Sequence, residues 1–414
     1  MVIISNGFSK FHLSVAAAEA DRRQLLSSFL TGAYPTPLVR KILSLPYLRT
    51  NSKAQRLATR REKIDDGLVH ALFCSEALNV LGMLRRNDNA IADAFRFYGR
   101  SAIRHVEQAA AMGARIYHYR AGFGGASIEV ARKLGMYILC DYSLAHPSVV
   151  EGLVANGGKM PRYDKSASIG PYWRPGLSDI EQADAILANS HFVEETFKYV
   201  GHDGSPTHVI YLGVDDSFLA HVPQREDARD ELRLLYAGNI EKRKGVEMLM
   251  DALARLDNIP WRLEIAGPVL ADVANRSRSF FADPRVNYLG LLSRENLATA
   301  MTRADVFVFP SLAEGSARVV FEALACGCYV ITTPNSGSIV ENGVHGGIVQ
   351  PGDSSSLREA IEYAYQNRDK VLDIGRKNAL CVRAKYRQSN YGDQLSTLYK
   401  ELLDESKGCD GATV

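Results

Sequence analysis

The sequence predicts an α/β protein built as two doubly wound domains facing a central cleft. Short apolar strands alternate with longer helical stretches, the pattern that gives a parallel sheet covered on both faces. That alternation runs through the first half and restarts in the second. The length, 414 residues, suits two such domains, since domains commonly run to about 100–200 residues each.

The elements follow in order. A strand at 2–5 breaks at Asn6-Gly7 and leads into a helical run over 12–26. Next come a strand at 115–119, a helix at 127–134, a strand at 136–141, a helix ending over 180–184 and a strand at 185–189. A helix at 191–200 and a strand at 208–212 end the first half. The second half opens with a strand at 232–236 that stops at Gly238, then an amphipathic helix at 245–256. Strands at 261–266 and 286–289 are closed by Gly267-Pro268 and Gly290. Ser293 caps a helix running to Arg303, its hydroxyl being suited to the first free amides. A buried strand at 306–309, a helix at 318–325 and a strand at 329–332 follow, and 335–347, rich in Gly, Ser and Asn, is expected to be loop. The halves join at 201–216. This places the domains at 1–205 and 206–385, with a last helix at 392–403 in a segment, 386–414, that has room to pack back on the first domain.

Composition narrows the function classes. Hydrophobic residues make up 46% and charged residues 23%, as in an ordinary globular enzyme. The net charge of +2 gives no reason to expect a nucleic acid partner. The six cysteines form no C-x-x-C pair and have no zinc-like histidine spacing, so they read as reduced thiols of a cytoplasmic protein. No basic leader is expected at the start, and no apolar stretch approaches the roughly 18 residues of a membrane span. A membrane role would therefore be peripheral, at the inner face. Between 40 and 63, Arg40, Lys41, Arg49, Lys53, Arg56, Arg60, Arg61 and Lys63 are met by Glu62 alone, with leucines scattered among them. The stretch fits either an anionic lipid surface or a solvated helical face.

The richest segment follows the strand at 306–309. Pro310-Ser311 ends it, a loop presents Glu314, and a helix starts among the small residues Gly315, Ser316 and Ala317, with Arg318 at its head and Glu322 in its second turn. Small side chains let a ligand approach the free amides of a helix N-terminus, which favour an anionic phosphate. Carboxylates beside it can accept sugar and ribose hydroxyls. The spacing of Glu314 and Glu322 resembles the donor-site signature of the large retaining glycosyltransferases of family 4, the group 1 glycosyl transferases. Segments 183–190, 210–215, 237–245, 304–306 and 343–353 resemble that family's other landmarks in the same order. The resemblance covers about 180–365 well and the first 130 residues poorly.

The resemblance implies a GT-B architecture, two Rossmann-like domains with the nucleotide-sugar donor on the second. Glu322 would hold the ribose, Glu314 the transferred sugar, and the amides of Ser316, Ala317 and Arg318 the sugar and diphosphate. Lys244 matches the family's phosphate-binding lysine, in a loop that includes Gly238. The family often has arginine where this chain has Asn239, so Arg243 or Arg318 is expected to supply that charge. Gly7 would bring backbone to the donor phosphates, and His146, after the strand at 136–141, would meet the reacting sugar. His12 and the Gly-rich turn at 121–125 are weaker candidates. No Asp-x-Asp stands at a strand end, so neither a metal nor another cofactor is expected; the nucleotide-diphosphate sugar is a substrate. The implied activity is retaining transfer, of hexosyltransferase type, to a glycan or lipid-linked acceptor in polysaccharide biosynthesis. A catalytically inactive nucleotide-sugar-binding partner subunit and a sugar-nucleotide epimerase or hydrolase on the same fold remain the alternatives.

Overall fold

A computed structural model describes residues 1–165, 168–224 and 230–410. Its first sheet contains β1 (Val2–Ser5), β2 (Leu26–Thr31), β3 (Val69–Ala71), β4 (Ile116–Arg120), β5 (Tyr137–Tyr142), β6 (Ala185–Ala188) and β7 (Thr207–Val209), in the order β3-β2-β1-β4-β5-β6-β7. The second contains β8 (Leu232–Ala237), β9 (Trp261–Ala266), β10 (Val286–Gly290), β11 (Val306–Phe309), β12 (Tyr329–Thr332) and β13 (Gly346–Ile348), in the order β10-β9-β8-β11-β12-β13. Every pairing in both is parallel. Strand order reverses between β1 and β4 in one sheet and between β8 and β11 in the other, and such switch points open a crevice at the carboxyl ends of the strands. Two parallel sheets, each with such a crevice, make up the GT-B architecture.

Several elements depart from the sequence reading. The helical run at 12–26 divides: the helix Leu13–Arg22 ends, Gln24 takes φ 58°, and the Leu25 amide bonds back to the Ala20 carbonyl. That reversal frees Leu26 to begin β2, which is buried along its whole length despite Ser27-Ser28. The stretch 335–347 is loop only until Gly346, where β13 pairs with β12. Between β3 and β4 two helices, Phe73–Leu84 and Asp88–Ala111, pack on each other.

Helix Phe73–Leu84 is turned inside out. Its buried residues are Ser75, Glu76 and Gly82, whereas Leu81, Met83 and Leu84 face solvent, Leu84 at 77% exposure. Glu76 explains part of this, because its carboxylate accepts from the Ala33 amide (2.6 Å) and from Arg60 Nη1 (2.7 Å). Burying a carboxylate is costly unless it is paired and hydrogen-bonded, and Glu76 is both.

The last helix, Gln388–Asp410, lies on the first domain. Tyr391, Leu395, Leu398 and Leu402 join the core formed by β1, β2 and the helix Leu13–Arg22. The chain therefore crosses between domains twice, and the crossings are bonded together: the Val214 amide donates to the Tyr386 carbonyl at 2.7 Å and the Gln388 amide to the Val214 carbonyl at 3.0 Å.

Candidate functional site

The loops after β8 and β11 meet at the second sheet's switch point. After β8 the chain turns through Gly238 and Asn239 into a short 3-10 turn, Lys242–Lys244, ended by Gly245 at φ 72°. A Cβ on Gly245 would stand 1.8 Å from the Pro310 carbonyl oxygen, so only glycine lets the two loops touch here. The Leu312 amide donates to the Arg243 carbonyl at 2.9 Å and ties the loops together.

Between them lies an ion cluster centred on Glu314. Its Oε1 accepts from Arg243 Nη1 at 3.0 Å and from the Ser311 hydroxyl at 3.0 Å, and is paired with the Lys244 ammonium. Arg243 also reaches Glu241 at 2.9 Å and the Ala313 carbonyl at 2.8 Å. Lys244 lies 5.4 Å from the Phe309 ring centroid. Burial pushes the Lys244 ammonium below its ordinary pKa, opposed first by the charge of Glu314. Two cations, Arg243 and Lys244, thus sit against two carboxylates, Glu241 and Glu314, so an anionic ligand would have to take over cation contacts that these carboxylates now hold.

The helix Arg318–Ala325 starts beside this cluster. Glu322 lies 4.0 Å from Arg294 Nη2, itself 3.2 Å from Asp215. Burial raises the Glu322 pKa, with Arg318 and Arg294 opposing. Arg318 Nε is buried with no hydrogen-bond partner among the described residues. Ser316 is half-buried at the helix start. The Ala317 amide, expected to meet the diphosphate, instead donates to the Ser336 carbonyl at 3.0 Å.

Three other expectations are corrected by packing. The Gly7 amide donates to the Tyr98 hydroxyl at 3.3 Å, within an aromatic cluster of Phe8, Phe95, Tyr98 and Phe123. His146 is buried: its amide donates to Thr196 Oγ1 (2.9 Å), its Nδ1 accepts from the Ser148 amide (3.2 Å), and its ring stands edge-on to Phe197. Burial, reinforced by His202, lowers its pKa to about 4, so it is a neutral packed histidine rather than a group facing the cleft. In the Gly-rich turn, the amides of Gly122, Gly124 and Gly125 all donate to Asp179 at 2.8, 2.8 and 2.9 Å. That nest already holds an internal carboxylate, whose pKa burial raises to about 6. Asn239 gives its carbonyl to the Tyr236 hydroxyl at 2.7 Å, and its side chain is exposed.

The first domain supplies a different pocket, a cavity of about 130 Å³ at the carboxyl ends of β4 and β5. Arg120, the last residue of β4, and Asp141, Tyr142 and Ser143 at the end of β5 line it, with Phe11, Phe123, Tyr172 and Trp173 among the walls. Behind it, Asp141 accepts from His12 Nε2 at 2.9 Å and lies 3.5 Å from His118, whose Nδ1 is 2.8 Å from the Tyr399 hydroxyl of the last helix. Burial would raise the Asp141 pKa, but the two imidazoles bring it down to about 2.

The two half-sites abut. A Cβ on Gly315 would lie 1.8 Å from the Ser143 carbonyl oxygen, so the loop bearing Glu314 rests directly on the lip of the pocket. The Ser190 hydroxyl donates to the Gly315 carbonyl, and Asn335 Nδ2 donates across the domains to the Gly158 carbonyl at 2.6 Å. The structure therefore joins Lys244, Arg243, Glu314 and Gly315, with Arg318 and Glu322 on the adjoining helix. Arg120, Asp141, His118 and Arg294 were not singled out from sequence. A lone arginine ending the otherwise uncharged strand Ile116–Arg120 was the available signal. Among the described residues no group of three or more His, Cys, Asp or Glu converges as a metal site, and no helix is long and apolar enough to cross a membrane.

Comparison with known proteins bears on the fold and on residues 220–380. The family model described as Glycosyl transferases group 1 matches residues 220–380. The chain is 23% identical over 240 residues to N-acetyl-alpha-D-glucosaminyl L-malate synthase of Bacillus anthracis, covering 55% of this chain and 62% of that protein. It is 26% identical over 279 residues to D-inositol 3-phosphate glycosyltransferase of Pseudarthrobacter chlorophenolicus, covering 63% and 64%. These alignments span less than two thirds of the relatives' lengths. Over 97% of its length the fold matches Anabaena HepE in complex with UDP, covering 100% of that chain at TM-score 0.63 and 16% identity. Sucrose-phosphate synthase of Thermosynechococcus elongatus also has TM-score 0.63, at 20% identity, covering 98% of this chain and 100% of its own.

Proposed function

We propose that this chain, whose residues 220–380 belong to the glycosyl transferases group 1 family, moves a sugar from a nucleotide-diphosphate sugar on its second domain to a hydroxylated acceptor on its first. One observation carries the reading: the Glu314 loop rests through Gly315 on Ser143, the rim of the first domain's pocket. A donor held by the cluster would thus present its sugar to whatever occupies that pocket. In this reading Glu322 receives the ribose hydroxyls, Lys244 and Arg243 the diphosphate and Glu314 the transferred sugar.

Retention is the finer part of the proposal. The acceptor oxygen bonds to the anomeric carbon on the face the diphosphate leaves, the old carbon–oxygen bond breaks, and the acceptor proton passes to the departing phosphate oxygen. Negative charge grows on the diphosphate, where fixed cations in a dry site lower the barrier. No imidazole is needed as base, in keeping with the buried, neutral state of His146.

The test is incubation with a panel of nucleotide sugars and a membrane extract, with the product's anomeric configuration read by NMR. Transfer with retention is the expected result. Binding without turnover would favour the inactive partner subunit, and a changed free nucleotide sugar the epimerase; either would overturn the proposal.

A peripheral membrane position is proposed with it. Arg40 pairs with Asp66 (2.6 Å) and Arg60 with Glu76 (2.7 Å), which withdraws both from a lipid role. The same segment exposes Leu45 and Tyr47, Tyr47 at 84%, and the inverted helix Phe73–Leu84 is followed directly by Arg85 and Arg86. Apolar side chains beside cations that have no ion pair among the described residues suit an anionic membrane surface. Cosedimentation with phosphatidylglycerol vesicles should fall sharply on Leu81→Ser/Leu84→Ser; equal binding would refute this contact.

A further inference from the structure

Arg120 is a cation inside an aromatic cavity. Its guanidinium carbon lies 3.7 Å from the Phe11 ring centroid and 5.2 Å from that of Phe123. Its one hydrogen bond to the described residues is a long one, Nη1 to the Phe8 carbonyl at 3.4 Å. No carboxylate among the described residues pairs with it within 4.0 Å. Asp141, on the same wall, is held by His12 and His118 instead. A guanidinium carries five N–H donors in a planar fork, and most of these have no protein acceptor. Burial accordingly pushes the Arg120 pKa down.

The Asp141 charge, near but outside ion-pair distance, only partly opposes that burial, and a ligand anion in direct contact would offset more of its cost. The cavity, about 130 Å³, is small enough that a group bound at its floor stays close to the Ser143 rim and hence to Gly315. We propose that the acceptor is a hydroxylated compound carrying a carboxylate or phosphate, received by Arg120 at the floor of this cavity with its apolar face against Phe11 and Trp173. The inference rests on the transferase reading and adds the acceptor's chemical class. A fork-to-oxyanion contact would fix the acceptor's orientation as well as its charge, turning a hydroxyl towards the donor loop.

The test uses D-glucuronate and D-glucose 6-phosphate as anionic probes and D-glucose as the neutral one, measured by calorimetry on the full chain. Parent protein should bind at least one charged sugar at least tenfold more tightly than glucose, and comparison of the two identifies the preferred anion. Arg120→Gln should lose that preference and Arg120→Lys recover part of it, while nucleoside diphosphate binding, a property of the second domain, reports that both variants are folded. Equal affinity for glucose, no binding of either charged sugar, or an unaltered preference in Arg120→Gln would each overturn the proposal. Transfer exclusively to neutral acceptors would overturn it and leave the transferase reading standing; Arg120-dependent binding of a charged sugar, with no transfer to any acceptor, would leave an anion site but overturn the transferase reading and the acceptor role with it.

Discussion

Replacing Lys244 with methionine separates its part in the reaction from its part in the fold. Methionine keeps most of the apolar stem beside Phe309 and removes the charge. Glu314 retains Arg243 at 3.0 Å and the Ser311 hydroxyl at 3.0 Å, so no carboxylate is left bare. Burial already disfavours the ammonium, so losing it should not weaken the fold. The chemical step is different. Two unit charges about 4 Å apart interact by about 4 kcal/mol at an effective dielectric of about 20. Arg243 remains nearby and shares the load, so about 2–4 kcal/mol of transition-state stabilisation should go, in line with the loss of one oxyanion donor. That is a fall of roughly 30- to 900-fold in kcat. The assay is release of nucleoside diphosphate under saturating donor, alongside urea unfolding. A kcat within threefold of the parent in a folded variant would refute the role of Lys244.

Other positions give independent outcomes. Glu322→Ala should weaken nucleoside diphosphate binding by about 1–3 kcal/mol, the usual range for a charged hydrogen bond lost from a buried site, and unchanged calorimetric affinity would remove its ribose role. Gly315→Ala places a Cβ 1.8 Å from the Ser143 carbonyl, so the domains must part to admit it; turnover should drop at least tenfold with nucleotide affinity retained, as stopped assays and calorimetry would report. His105 and His146 are both lowered to about 4 chiefly by burial. Folded protein holds them neutral where the unfolded chain binds protons below about 6.5, so stability rises with pH through this window. Acidification from pH 6.5 to 4 should cost up to about 3 kcal/mol per histidine, and a urea midpoint flat across that range would contradict the burial argument.

The second domain was more legible in sequence than the first because its ligand loops are short. Strands 261–266, 306–309 and 329–332 and helix 318–325 match the structure at both ends, and each is a compact apolar run bounded by Gly, Pro or a polar break. Lys244 and Glu314, both read from the loops that follow their strands, are found paired with each other. β2 was not, because Ser27 and Ser28 interrupt its apolar character and only burial between β1 and β3 accounts for it. Helix Phe73–Leu84 defeats pattern reading altogether, as its apolar face is the solvent face. The Gly-rich turn looked like a phosphate cradle, but Asp179, more than fifty residues away, fills it. The sequence around Arg120 carries no motif; its meaning comes from strand order, which sets β4 beside β5 and brings Phe11 over its guanidinium.

The same topology accounts for how two half-sites made on separate sheets can work as one. Both crossings between domains lie side by side, bonded through Val214, Tyr386 and Gln388, so rotation there disturbs only a few hydrogen bonds. Elsewhere the domains touch through backbone and small groups: Ser190 on Gly315, Asn335 on Gly158, Gly157 against Gly352, and Ala313 in a small apolar cluster with Val149, Leu153 and Phe192. The polar contacts among these gain only about 1 kcal/mol each, and the apolar one rests on a single alanine methyl, so the proposed transfer could make and break them. A large hydrophobic seam would lock the cleft in either state. The glycines at 315 and 158 let the loops of the two domains approach this closely, and in the proposed transferase that approach would exclude water from the reacting groups.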